Sequence, residues 1–509
     1  MSRDRGEAGQ FPAEGDSLDR TIQLRVLPTD GTRPAQPKEK CGIFGIWGDP
    51  DAARTAYLAL FALQHRGQES AGIAVSNGED LEGHLGMGLV RDVFSASDLN
   101  RLARFGSAGA IGHNRYSTAG GSLICNTQPL IERTGDGPVA VAHNGNLVNA
   151  EALRRLFAER GHLFHTTSDT EVMIHLLASP DQRETPDPLA ASMRRLQGAF
   201  SVVFLFPDRI EAARDPWGWR PLVLGELERD GRLCPVVVSE TVALDVIGAR
   251  FVREVEPGEI VTLSDAGVES RQFAEPADHL AMCIFEHVYF ASPASTVFGQ
   301  NVLGAREEMG RTLAREAPVD ADWVMPMPDS GRSAANGYAH ESGIPYREAI
   351  VPNRYVGRTF IKPTQGEREA AVRLKLNIVR EIVEGKRLIV VDDSIVRGTT
   401  TRLKMLQLRE AGAREIHLRI SAPPIRHPCH FGVDFACKEQ LIANGKSVEE
   451  IRAFLGVDSL HFLSLEGLLG VARHDPQAYC TGCFSGEYRV DVEHPQTGEI
   501  RSKEQARMF

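Results

Sequence analysis

The chain has 509 residues, with 57 Lys plus Arg against 68 Asp plus Glu and a formal net charge of −11. At roughly 150 residues per domain this length provides for about two to four domains, each able to bury a core. The acidic balance argues against a nucleic-acid binder, because phosphate contacts need clustered Lys and Arg. No apolar run approaches the roughly 18 residues that span a bilayer, which argues against a membrane protein. Eight cysteines are too few for a disulfide scaffold. Residues 1–40 carry no apolar signal core. Both observations point to the cytoplasm, where reduced cysteines serve packing, metals or catalysis.

In chain order, residues 1–40 are polar and rich in Gly, Pro and charge, apart from Ile22-Gln-Leu-Arg-Val-Leu27, and read as a flexible leader. From 41 to about 280 the sequence predicts strands over 41–47, 71–75, 139–142 and 200–206, each bounded by Gly, Asn, Asp or Pro. Helical patterns over 52–65 and 150–160 lie between them, so a layered α+β domain is expected. From 281 to 475 apolar runs at 323–327, 387–391 and 416–420 alternate with helical periods at 304–316 and 401–411. That alternation predicts α/β structure, a parallel sheet with crossover helices. Residues 476–509 carry Cys480-Thr-Gly-Cys483 and end polar, as a partly ordered tail would.

The most informative segment is Arg387-Leu-Ile-Val-Val-Asp-Asp-Ser-Ile-Val-Arg-Gly-Thr-Thr400. An apolar strand runs into two acids, then a hydroxyl- and glycine-containing loop, then a helix. Ser394, Ile395, Val396, Arg397, Gly398, Thr399 and Thr400 would offer backbone N–H groups and hydroxyls to a phosphate. Asp392 and Asp393 could accept hydrogen bonds from ribose hydroxyls or face a hydrated Mg²⁺. The segment resembles the phosphoribosyl-pyrophosphate (PRPP) motif of type I phosphoribosyltransferases. Met327-Pro-Asp-Ser-Gly331, Asn353-Arg-Tyr-Val-Gly-Arg-Thr-Phe-Ile361 and Lys375-Leu-Asn377 narrow the resemblance to the glutamine PRPP amidotransferase family. By that resemblance Arg354, Arg358 and Lys362 belong to a loop that closes over the pyrophosphate, and Ser330 neighbours Mg²⁺ beside Asp392 and Asp393.

The first half carries the same resemblance independently. Cys41 heads Cys-Gly-Ile-Phe-Gly, followed by Gln64-His-Arg-Gly-Gln-Glu-Ser-Ala-Gly72, Arg115-Tyr-Ser-Thr118, Ala142-His-Asn-Gly-Asn-Leu147, Ser168-Asp-Thr-Glu171 and Arg214-Asp-Pro-Trp-Gly-Trp-Arg-Pro221. These are similar to the N-terminal-nucleophile glutaminase domain. A Cys at a free N-terminus carries its own general base, the α-amine. The resemblance implies Cys41 as nucleophile, Asn144 and the Gly145 N–H as oxyanion hole, Arg115 on the glutamine α-carboxylate and Asp169 on its α-ammonium. It also gives residues 1–40 a meaning. They would be a propeptide cut between Lys40 and Cys41, or the start site lies downstream.

The resemblance implies a layered αββα glutaminase domain over 41–280, then a mostly parallel, doubly wound phosphoribosyltransferase domain over 281–475. The implied reaction moves ammonia from glutamine to PRPP, giving 5-phosphoribosylamine, glutamate and pyrophosphate, the first committed step of purine synthesis. Homo-oligomers, dimers or tetramers, inhibited by purine nucleotides, are expected. One branch of the family holds a [4Fe–4S] cluster on four cysteines. Cys429, Cys480 and Cys483 match three of them, and the fourth is expected within 239–245, at the position of Val242. That leaves a cluster with a substitute ligand, another metal, or cysteines packed as hydrophobes. Ser292 and Ala294 stand where the family usually has Arg and Asp, and Pro352 where a Lys commonly precedes Asn-Arg-Tyr. These lost charges motivate one alternative, a PRPP- or nucleotide-sensing paralogue with little turnover; a second is an ammonia-only phosphoribosyltransferase whose glutaminase fails because residues 1–40 are retained.

Overall fold

Side-chain alternation along the strand Lys40–Trp47 sets the architecture of the first half. Phe44 and Ile46 join a core shared with the helices Ala52–Ala62 and Thr241–Ile247. Ile43 and Trp47 point the other way, into a core shared with a second sheet. A strand buried on both faces in this manner needs a layer on each side. The strand sits in a seven-stranded antiparallel sheet, in the order Arg250–Glu254, Val223–Arg229, Arg232–Val238, Lys40–Trp47, Gly109–Tyr116, Ser70–Ser76, Leu81–Met87. The facing antiparallel sheet has six strands, running Gly267–Gln272, Glu259–Ser264, Arg209–Arg214, Gly198–Phe206, Gly137–Leu147, Leu130–Thr134. Its outer face buries Val139, Val141, Phe200 and Val202 against Leu153, Phe157, Val172, Met173 and Leu189 of the covering helices. The result is a four-layer αββα sandwich. This computed structural model describes residues 40–116, 123–353, 376–433 and 438–492, which lie in one compact unit, 37–509.

The second half turns on a four-stranded parallel sheet in the order Trp323–Pro326, Arg387–Asp392, Glu415–Ile420, Ser459–Phe462. A parallel bridge, Val324 to Tyr346, adds a further strand segment outside the first of these. The chain therefore steps outward once after Trp323–Pro326, then crosses back to build the other side. That is the 2-1-3-4-5 doubly wound order, whose switch point lies between its first and third strands. Both faces are covered. Val324, Ile389 and Val391 pack on Met309, Leu313 and Tyr338, while Met325, Val390 and Leu418 pack on Met405, Leu408, Ile451 and Leu455. The predicted strands and helices of both halves are all present, with boundaries within a few residues. Of the C-terminal segment, residues 476–492 are described. Tyr479–Cys480 pairs in parallel with Met282–Cys283, in the register Cys283 opposite Cys480. Among the described residues no helix is long and apolar enough to cross a membrane.

Candidate active sites and a four-cysteine centre

The space between the two antiparallel sheets holds the first site. Cys41 shares the inner face with Ile43 and is fully buried. On Gly109–Tyr116, Ile111 points inward, so the period of two brings Arg115 to the same face, and Arg115 lies directly opposite Cys41. On Gly137–Leu147, Ala140 and Ala142 point inward, which carries Asn144 to the same side. Three strands thus deliver Cys41, Arg115 and Asn144 to one inter-sheet pocket by alternation alone.

The surrounding polar contacts fix this arrangement. The Asn144 Nδ2 group is buried and donates to no acceptor among the described residues. A donor kept dry and unused suits an oxyanion that exists only during reaction. A side chain at Gly145 would run into the Ala199 carbonyl, 2.0 Å from an ideal Cβ, so only glycine lets the backbone pass there. Asp169 immediately precedes the helix Thr170–Ala178, and its Oδ2 accepts from the Leu147 N–H at 2.9 Å. Burial raises its carboxyl, but His143 and the Leu147 and Thr170 N–H groups prevail and hold it below the usual carboxylate range. It is an anion available to an ammonium group.

Several neighbours carry no role in the sequence reading. His113 lies across from His143, with its Nε2 at 3.0 Å from the His143 carbonyl oxygen. Burial, aided by the charges of Arg115 and His143, pushes its imidazole down to about 3. Arg66 donates from Nε to the Cys41 carbonyl at 2.8 Å and reaches the buried carboxylates of Glu240 and Glu286 at 2.5 and 2.9 Å. The run Gln64-His-Arg-Gly-Gln carried that signal without showing which carboxylates would answer it. Ser117 and Thr118, in the segment 117–122, lie outside the described residues.

The second site lies at the switch point of the parallel sheet. The strand Arg387–Asp392 delivers Asp392 and Asp393 together, both buried. The Asp393 N–H donates to Asp392 Oδ1 at 2.9 Å, and Ser394 Oγ donates to Asp393 Oδ1 at 2.5 Å. Burial and the Asp393 charge push the Asp392 carboxyl well up. Two acids held this way suit a cation. Gly398 takes φ +73° at the start of the helix Thr399–Glu410, whose first turn has no side-chain cap, so its N–H groups are available to an anion. Beside it, the loop after Trp323–Pro326 is pinned by Met327 N–H donating to the Val391 carbonyl at 2.7 Å. That loop carries Ser330, half-buried. Gly331 packs so closely that a Cβ would stand 2.4 Å from the Val391 oxygen. Arg354, Arg358, Lys362 and Lys375 lie outside the described residues.

The third feature corrects the sequence reading of the cysteines. Val242 packs on the outer core of the first sheet from the helix Thr241–Ile247, and Cys234 is buried in that same core. Neither joins the other sulfurs. Cys283 does: it is in register with Cys480, and its thiol interacts electrostatically with those of Cys429, Cys480 and Cys483. The linker strand Met282–Cys283, which no motif singled out, places a fourth thiol beside those of Cys429, Cys480 and Cys483. Desolvation, then the Glu286 carboxylate and the Cys480 and Cys429 thiols, pushes Cys283 up to about 12; desolvation, then Cys429, pushes Cys480 up to about 11; Arg220 works against both shifts. Four thiols that suppress one another's ionisation suit a cationic centre that restores it. All-sulfur donors select soft metals, zinc or iron–sulfur. Among the described residues no three His, Cys, Asp or Glu side chains converge as around a single ion. A cubane carries its four thiolates on separate irons and needs sulfurs set apart around a cavity. Hydrogen-bond donors surround the group: Phe431 N–H to Cys429 Sγ at 3.4 Å, and the buried Trp219 indole beside Cys480.

A family model described as a glutamine amidotransferase domain matches residues 113–245. Fold and sites together define a glutamine amidotransferase of the N-terminal-nucleophile class, joined to a phosphoribosyltransferase of the PRPP-binding type. The amidophosphoribosyltransferase of Synechococcus elongatus is 47% identical over 90% of this chain and 93% of its own, and that of Bacillus subtilis is 47% identical over 89% and 95%. The solved glutamine PRPP amidotransferase of B. subtilis, complexed with ADP and GMP, superposes with a TM-score of 0.81 at 45% identity, covering 89% of this chain and 98% of that one. The chain belongs to the amidophosphoribosyltransferase family. It is a glutamine-dependent glycosyltransferase: the amide nitrogen of glutamine goes to PRPP, giving 5-phosphoribosylamine, glutamate and pyrophosphate, the opening step of purine synthesis.

Proposed function

We propose the following division of roles within this reaction. Residues 41–280 form the glutaminase domain and 281–475 the phosphoribosyltransferase domain. Cys41 is the nucleophile, freed by removal of residues 1–40 so that its α-amine serves as general base. The thiolate adds to the glutamine amide carbonyl, and the resulting oxyanion is met by Asn144 Nδ2 and the Gly145 N–H. Ammonia leaves with the proton relayed by the α-amine, and water then cleaves the thioester to glutamate. Arg115 pairs with the substrate carboxylate, for which its forked guanidinium is shaped, and Asp169 with the substrate ammonium. The observation that carries this reading is the delivery of Cys41, Arg115 and Asn144 to one inter-sheet face, with Asn144 Nδ2 buried and unused.

In the transferase half, Asp392 and Asp393 meet the ribose hydroxyls. Residues 394–400 hold the 5-phosphate on loop and helix N–H groups. Arg354, Arg358 and Lys362 close on the pyrophosphate. Asp392, Asp393 and Ser330 would hold Mg²⁺, which supplies charge neutralisation for the departing pyrophosphate. The nitrogen lone pair of ammonia forms the new bond at the anomeric carbon as the bond to pyrophosphate breaks. Closure over PRPP keeps water away from that carbon. Cys283, Cys429, Cys480 and Cys483 would hold a [4Fe–4S] cluster, which supplies a structural tie between the halves. The enzyme is read as a cytoplasmic homo-oligomer, dimer or tetramer, inhibited by purine nucleotides, in keeping with the ADP and GMP of its solved relative.

Intact-mass analysis of purified protein tests the processing step. The reading expects a chain beginning at Cys41, and glutamine-dependent turnover by a chain that keeps residues 1–40 overturns it. Iron and sulfide analysis tests the centre. Four irons per chain are expected, falling below one in Cys283→Ser, whereas an unchanged iron content in that variant removes Cys283 from the site.

A further inference from the structure

Two polar routes run from the four-cysteine centre to the glutaminase pocket. The first is a continuous chain of hydrogen bonds through buried charges. Phe431 N–H donates to Cys429 Sγ at 3.4 Å, and the Phe431 carbonyl accepts from Arg220 Nη2 at 2.7 Å. Arg220 Nη1 donates to Glu286 Oε1 at 3.0 Å, and Arg66 donates to both Glu286 oxygens at 2.9 Å. Arg66 then donates from Nε to the carbonyl of Cys41 itself at 2.8 Å. Arg66, Arg220, Glu286 and the branch carboxylate Glu240 are all buried, two charges of each sign. Within so dry a network each ion pair holds its geometry firmly, and displacing one partner is felt by the next.

The second route is direct packing by the loop that begins at Cys429. Asn146 Nδ2 donates to the His430 carbonyl at 2.7 Å. Gly432, at φ +92°, lies so near Gly145 that a Cβ on it would stand 2.9 Å from the Gly145 oxygen and 3.2 Å from Arg220 Nη2. One loop therefore touches the oxyanion strand at two residues and the nucleophile's carbonyl through three side chains. Ordinary packing between domains would need no buried carboxylate shared by two arginines, because such groups are costly unless each is answered. Toward the transferase site the network has the buried Arg306, which feels the charges of Asp393, Glu240 and Glu286 but donates to the His287 and Ala291 carbonyls, at 2.7 and 2.8 Å, and to neither aspartate.

We propose that the 429–433 loop, with the Arg220–Glu286–Arg66 chain, is a brace through which the four-cysteine centre sets the position of Cys41 and of the Asn144–Gly145 oxyanion strand, leaving the transferase site independent of it. Arg66, Glu286, Arg220 and Asn146 are positioning residues. The proposal rests on the reading of Cys41 as nucleophile and of the four sulfurs as an iron–sulfur site.

The test measures the rate at which a diazo-ketone analogue of glutamine alkylates Cys41, alongside ammonia-supported pyrophosphate release and iron content. It uses wild type, Glu286→Gln and Asn146→Ala, each as purified and after anaerobic iron removal. Asn146→Ala removes no buried charge and keeps the test open where Glu286→Gln fails to fold. The brace predicts that iron removal slows alkylation of wild type by about tenfold to a hundredfold, the cost of an ångström-scale misplacement. It predicts the same slowing in both iron-loaded variants, little further loss when they are stripped, and ammonia-supported release within about twofold throughout. Undiminished alkylation in the loaded variants overturns it, as does a parallel fall of alkylation and ammonia-supported release. No alkylation of loaded wild type instead rejects Cys41 as nucleophile and, with it, the brace. Slowed variants in a chain that carries no iron reject the iron–sulfur reading and, with it, the coupling of the centre to Cys41, leaving Glu286 and Asn146 a purely structural role.

Discussion

The two catalytic halves prepare for charged substrates in opposite ways. The glutaminase pocket lies between sheets, and its charges are answered from within: Arg66 by Glu240 and Glu286, Asp169 by His143 and the Leu147 N–H. A conspicuous unused group there is a neutral donor, Asn144 Nδ2. The transferase site lies on loops at the carboxyl ends of strands and sets like charges side by side, with Asp392 against Asp393 and a helix N-terminus without a side-chain cap. Glutamine is a small zwitterion, and a rigid pocket can complement it in advance. PRPP arrives with several negative charges and a divalent ion, so its site is built as half of an ionic assembly that the ligand completes.

That contrast is easiest to break by removing the unused donor. Asn144→Ala should lower glutamine-dependent kcat by about 10²–10³-fold with little change in the KM for glutamine, the pattern of a group used only in the transition state. Ammonia-supported release should stay unchanged, and an equal loss with both nitrogen donors would deny the oxyanion role. On the other side, Asp392→Asn should reduce release with both donors alike, by about 10²-fold, while glutamine hydrolysis without PRPP continues. Gly398→Ala sharpens the same half. It forces an alanine to φ +73° and a Cβ to within 2.5 Å of Ile442 Cδ1. The strain is about 1–2 kcal/mol, seen as a rise of roughly tenfold in the KM for PRPP with the KM for glutamine unmoved.

A further effect concerns pH and stability rather than turnover. The folded pKa of His113, about 3, lies below its ordinary 6.5. As pH falls below 6.5 the unfolded chain takes up a proton that the folded chain refuses. Stability is therefore full above 6.5 and is lost toward 3, at up to about 1.4 kcal/mol per pH unit. His113→Asn should flatten the fall in apparent melting temperature between pH 7 and pH 5. A variant that follows the wild-type curve would place the acid sensitivity elsewhere.

Both sites were legible in the sequence wherever local pattern decides position. The alternation along 41–47 fixes which face Cys41 takes, and an apolar run ending in two acids before Gly398 can hardly be anything but a strand end that meets a helix. Cys283 was not legible. It stands in a two-residue strand, Met282–Cys283, whose partner lies nearly two hundred residues further on, and no local spacing marks such a pairing. Position 242, expected from the family resemblance, belongs to a helix committed to another core. The Arg66–Glu286–Arg220 chain escaped for the same reason, since its members come from three distant segments brought together only by tertiary packing. The departures at Ser292 and Ala294 look milder in three dimensions than in sequence. The Ser292 N–H and the Ser295 hydroxyl both donate to Glu240, at 2.8 and 2.6 Å, so that turn is tied to the buried network without the missing charges.

The central claim is that one chain makes ammonia at Cys41 and uses it at Asp392 and Asp393. The most direct test is PRPP-dependent pyrophosphate release supported by glutamine and by ammonia, in wild type and in Cys41→Ala. The account predicts release with either donor in wild type, and release with ammonia alone in the variant. Glutamine-supported release that survives the loss of Cys41, or no release with either donor from wild type beginning at Cys41, would contradict it.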